Sequence, residues 1–102
     1  MTRYSWGMVT AIVHINAEVD RIPEIAQTIA EIDGVSEVYS ITGEYDLMAM
    51  VRVPAYEQIA EVIPGRLNKV PGVLATSTHI AFRTYSKHDL DAAFSLGLTE
   101  SD

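Results

Sequence analysis

From Val9 to Asn16 the chain alternates. Val9, Ala11, Val13 and Ile15 form one wholly apolar face against Thr10, Ile12, His14 and Asn16, which is the period of two of a β-strand. Spacing then changes. Asp20 is placed to cap a helix with Pro23 in its first turn, where a missing N–H costs nothing, and Ile22, Ile25, Ile29 and Ile32 fall on one stripe. Gly34 stops that helix. Val35 to Thr42 reads as a second strand, Gly43 to Asp46 as a turn, and Leu47 to Val53 as a third strand with apolar odd positions, so the pair is a hairpin. Pro54 ends it, and helical spacing resumes from Ala55 through Ile59, Val62, Ile63, Leu67 and Val70. Pro64-Gly65 predicts a kink or break in this second helix, because proline disfavours α geometry before it and removes a donor. Val73 to Arg83 follows as a fourth strand. Ser86 or Asp89 is placed to cap a short C-terminal helix carrying Leu90, Ala93 and Phe94, and residues 99–102 read as a frayed tail.

Ile32-Asp33-Gly34-Val35 and Val70-Pro71-Gly72-Val73 occupy equivalent places, each leading from a helix into a strand, so the chain contains an internal repeat. The order β-α-β-β-α-β predicts an α+β, ferredoxin-like sandwich of the dimeric α/β-barrel type, with both helices on one face of four antiparallel strands. The other face then carries Ile12, His14, Met48, Met50, Ala75, His79 and Ala81, which is too apolar for water. A homodimer packed sheet to sheet is expected, with Ile12, His14, Met48, Met50 and His79 in its interface and further assembly beyond it.

The length, 102 residues, fits one domain spanning residues 1–102. No stretch approaches the roughly 20 apolar residues of a membrane span, and Met8 to Ile15 lacks the marks of a signal peptide. Without cysteine there is no disulfide framework or thiolate site, and the cytoplasm is the expected compartment. A formal charge of -7 with seven scattered basic residues argues against direct nucleic-acid binding.

His14 and His79 lie on neighbouring strands in this topology, but a zinc site needs three or four ligands and only His88 remains, so histidines hydrogen-bonded within an interface are expected rather than a metal site or cofactor. A triad of Ser77, His79 and Asp46 lacks any nucleophile motif, and no enzyme activity is expected. The segment Thr42-Gly43-Glu44-Tyr45-Asp46 is more informative. Its glycine lets a ligand approach the main chain, and Asp46 is either a carboxylate for a ligand ammonium group or a turn cap bonded to its own backbone. Thr76-Ser77-Thr78 is a polar run in an apolar strand, either sheet filler or a second wall of a ligand site.

Taken together, residues 33–39, Thr42 to Leu47 and the run from Val70-Pro71-Gly72-Val73 into Thr76-Ser77-Thr78-His79 resemble the C-terminal ligand-binding (RAM) domain of the Lrp/AsnC regulators, over nearly the whole chain. The resemblance implies an effector-binding module in transcriptional regulation, with an amino acid or related metabolite held between dimers that assemble into octamers or similar rings. It implies that Gly43, Tyr45 and Asp46 line the effector site from the turn and Thr76, Ser77 and Thr78 from the fourth strand. Members usually carry an N-terminal helix-turn-helix, for which there is no room before Val9, so a stand-alone form is expected, with full-length Lrp/AsnC regulators as candidate partners. Pro64-Gly65 departs from the family pattern.

A competing reading is a small dimeric α/β-barrel enzyme, a cofactor-independent monooxygenase or haem-binding relative, since the same fold unit hosts those activities. Such enzymes enclose a pocket between sheet and helices, whereas the helix-side strand positions here are plain core residues. ACT domains share the strand order, and the Gly-x-x-Asp turn separates this chain from them.

Overall fold

Small and branched apolar side chains at every second position of β1 (Val9–Ala17) and β3 (Leu47–Val53) give one continuous apolar face that has to be covered. In the computed structural model, which describes residues 8–85 and Lys87, that face is sealed. Ala11, Val13 and Ile15 stand opposite Val51, Ala49 and Leu47, and all six are fully buried. The sheet order is β2-β3-β1-β4, with β2 spanning Val35–Ser40 and β4 spanning Val73–Ala81, and every pairing is antiparallel. This is the ferredoxin-like βαββαβ arrangement that the alternation predicts. The expected C-terminal helix, with Leu90, Ala93 and Phe94, lies outside the described residues.

The first helix, α1 (Ile22–Ala30), presents Ile25 and Ile29 to the sheet, both essentially without solvent contact. Asp20 does not cap it. A 3-10 turn over Val19–Arg21 comes first, Arg21 takes the cap position, and no side chain bonds the free N–H groups. Pro23 in the first turn compensates locally, since it brings no N–H to satisfy.

The second helix is broken where expected. α2 runs only from Glu57 to Val62, and a 3-10 turn at Leu67–Lys69 follows. Pro64 has no N–H for the Ala60 carbonyl, so Gly65 supplies one residue later at 3.2 Å, and Asn68 likewise reaches back to Ile63 at 2.8 Å. These wider loops keep the chain winding, and Ile63 and Leu67 reach the core with Ile59 and Val62.

The repeat is exact at the level of hydrogen bonds. Val35 N–H donates to the Ile32 carbonyl at 3.0 Å and Val73 N–H to the Val70 carbonyl at 3.1 Å, with the intervening glycines at φ 100° and 98°. Each glycine also abuts the opposite half. A Cβ on Gly34 would meet Val62 of α2, and one on Gly72 would meet Ile25 of α1. Two irregularities have no counterpart in the hydrophobic pattern: the register shifts between Val35 and Glu37 on β2 and between Asn16 and Ala17 on β1. The second leaves Leu74 unpaired and largely exposed.

Candidate functional site

The register sorts the candidate residues by face. On the helix-free side one row across the sheet reads Tyr39, Met48, His14 and Ser77, and the next Glu37, Met50, Ile12 and His79. Ile12, His14, Met48, Met50 and His79 therefore share one surface, as expected. His14 and Met48 are half-buried without any cover from a helix, while His79 is exposed. His14 and His79 do approach each other, with ring centroids 5.8 Å apart and edge to face. Ser77 Oγ lies 3.4 Å from His79 Nε2.

The same alternation divides the polar run on β4. Thr76 and Thr78 pair with Ile15 and Val13 and so belong to the helix side, whereas Ser77 pairs with His14 on the open face. Thr76 donates its hydroxyl to Asn68 Oδ1 at 3.0 Å. Within one protomer the three residues do not form one wall. A period of two carries this signal, and treating the run as a block overlooks it.

Asp46 is the structural node of the turn. Its N–H donates to the Ile15 carbonyl at 2.9 Å, its carbonyl accepts from Ile41 N–H at 3.0 Å, and its carboxylate Oδ2 accepts from Ala17 N–H at 2.9 Å. The side chain thereby extends the β1–β3 ladder by one bond, and it bonds the neighbouring strand rather than its own turn. Gly43, at φ 111°, has nothing within 4 Å of where a Cβ would stand, so the main chain of the turn is open to approach. Tyr45 leans on His14, with ring centroids 5.3 Å apart. Tyr45 thus links the turn to the open face through His14, whose strand partner Ser77 lies on that same face.

The open face carries an ion pair. Arg52 Nη1 donates to Glu37 Oε1 at 2.7 Å and the Tyr39 hydroxyl donates to Glu37 Oε2 at 3.0 Å. The Arg52 bond first, and the Tyr39 bond second, hold the Glu37 carboxyl below the usual carboxylate range, while the same carboxylate pushes the Tyr39 hydroxyl up.

A cavity of about 300 Å³ opens elsewhere, at the far end of β3, lined by Asp33, Gly34, Arg52, Val53, Gln58 and Arg66 among others. None of the expected effector residues reaches it. Gly34 lines it from the first helix-to-strand turn and Arg66 from the segment just after the break in the second helix. Among the described residues no three ligating side chains gather around one point, and no helix is long and apolar enough to cross a membrane.

Comparison with known proteins converges on one family. The model of the Lrp/AsnC ligand binding domain matches residues 10–90. An uncharacterised HTH-type transcriptional regulator of Pyrococcus horikoshii is 39% identical over 61 residues, covering 60% of this chain and 41% of the regulator. The chain thus spans under half the length of that relative. The crystal structure of TTHA0845 from Thermus thermophilus superposes with a TM-score of 0.72 at 39% identity, covering 78% of this chain and 99% of that one. A feast or famine regulatory protein of M. tuberculosis, solved in complex with L-methionine, shares the fold with a TM-score of 0.66 at 22% identity, over 85% of this chain and 62% of the other.

Proposed function

The chain belongs to the Lrp/AsnC ligand-binding domain family, a regulatory and non-enzymatic one, and from that premise we propose that it is an oligomeric receptor for a free amino acid. Gly43, Tyr45 and Asp46 contact the effector from the turn, and Ser77 faces it from the fourth strand across a junction between protomers, while Thr76 and Thr78 lie on the other face of that strand. The observation that carries this reading is the turn itself. Three hydrogen bonds fix Asp46 while the Gly43 backbone beside it stays uncovered, so a carboxylate and main-chain polar groups are held ready for an ammonium and a carboxylate. The methionine bound by the M. tuberculosis protein makes that amino acid the first to try.

The junction is supplied by a second copy on the open face. Supporting this, Glu37 and Arg52 neutralise each other there, so two copies of an acidic chain can meet without like charges opposed. The apolar centre of the face, Ile12, Met48 and Met50, supplies the burial. The role is in transcription regulation, exercised in the cytoplasm and in mixed assemblies with full-length regulators of the family.

A thermal-shift screen of the twenty common amino acids is the test. A ligand held only by the folded state at a hundred times its Kd adds about 2.7 kcal/mol, enough to raise Tm by several degrees. Tyr45→Ala should weaken any hit and Asp46→Asn should remove it. No shift with any of the twenty would overturn the proposal.

A further inference from the structure

We propose that His14 and His79 form half of a zinc-type metal site, completed by the same two histidines of a second copy. The argument starts from distance. With Zn–N bonds of 2.0–2.1 Å, a ring centre stands about 3.2 Å from the metal, so two imidazoles on one tetrahedral ion have centroids roughly 5 Å apart. The observed 5.8 Å differs from this by less than a small side-chain rotation, and the rings already meet at 79° rather than stacking. They are diagonal neighbours on adjacent strands, since His14 pairs with Ser77 and His79 with Ile12, so the sheet itself sets their separation.

Two features suit the pair to a borderline divalent cation rather than to calcium or magnesium. Both donors are nitrogens, and the residues around them, Ile12, Met48 and Tyr45, offer no carboxylate. Ser77 Oγ, 3.4 Å from His79 Nε2, can hold the ring nitrogen that does not bind the metal, the role an outer hydrogen bond plays at histidine sites. One protomer supplies only two ligands, and no third ligating side chain lies with them among the described residues. A second copy on the open face brings the other two and completes four-fold coordination. This step rests on the sheet-to-sheet pairing proposed above.

Zinc chloride titrated calorimetrically into the full chain at pH 7.5 should bind at one ion per two chains. His14→Gln and His79→Gln should each weaken binding at least tenfold, and cobalt should give the visible absorption of a tetrahedral site. Sedimentation in EDTA and in zinc separates this proposal from the pairing it rests on. A dimer in EDTA that takes up zinc at half stoichiometry supports both. A dimer that ignores zinc, binds it one per chain, or binds it equally in the double variant overturns the metal site alone. A chain monomeric in both conditions overturns both, and one that pairs only in zinc upholds the metal site while overturning pairing by apolar contact.

Discussion

Gly72→Ala tests whether the two halves of the fold are locked together through their glycine turns. Alanine at φ 98° is strained by about 1–2 kcal/mol whatever its surroundings. Here the added Cβ also collides with the end of Ile25, whose Cγ1 lies 2.9 Å away and whose side chain is 1% exposed, so it cannot step aside. Overpacking of this kind costs about a further 1–3 kcal/mol. The expected loss is about 2–5 kcal/mol, a large share of the roughly 5–15 kcal/mol available to a domain. Gly43→Ala is the internal control, because its φ of 111° imposes the same strain with nothing within 4 Å. It should lose only about 1–2 kcal/mol. Gly34→Ala, whose Cβ would stand 2.8 Å from Val62 Cγ2, should resemble Gly72→Ala. Urea unfolding followed by circular dichroism, at one fixed protein concentration so that association contributes equally, measures all three. Equal losses at positions 43 and 72 would refute the reasoning, since backbone strain alone would then account for both.

Asp46→Ala should cost about 1–3 kcal/mol in the same assay, because Ala17 N–H loses its acceptor, whereas Asp46→Asn should recover most of that loss without recovering an amino-acid response. Met50→Glu places a charge at the centre of the open face and should shift sedimentation toward monomer while leaving the circular dichroism spectrum unchanged; an unaltered sedimentation profile would count against pairing through that face. Glu37 is held below its unfolded pKa by Arg52 and Tyr39, so what it contributes to stability is present above about pH 4.3 and disappears as pH falls through the lower folded value. Glu37→Gln should accordingly be less stable than the parent near neutrality and equal to it at strongly acid pH, and a gap that widens on acidification would contradict the assignment.

The strands and their faces were readable because burial on one side imposes a period of two, and Val9 to Asn16 shows it without a break. The helix break was readable because Pro64 removes a donor whatever the surroundings. The cap of α1 was not: Asp20 has the right chemistry, but the chain enters through a 3-10 turn and leaves Arg21 at the cap. Nor were the register shifts at Asn16/Ala17 and Val35/Glu37, which depend on how neighbouring strands twist and leave no mark in composition. At the candidate site the turn was legible through its glycine and carboxylate. The bond from Ala17 to Asp46 joins residues 29 apart in sequence, beyond the reach of any local pattern. The division of Thr76 and Thr78 from Ser77 was written in the alternation and needed only the pairing with β1 to be seen.

The strand order β2-β3-β1-β4 has a consequence for how the molecule comes into being. β1 and β2, which flank α1, do not touch as neighbours, because β3 from the other half is inserted between them; β3 and β4 are likewise parted by β1. Neither repeat alone is a sheet, so a nascent chain that has emerged only as far as Ser40 has two strands and an empty slot. Folding must wait for distant segments to interleave, which makes it slow for a chain of this size and strongly cooperative. Two fragments cut in the β2–β3 turn should each be unstructured when separate and regain the sheet only when mixed.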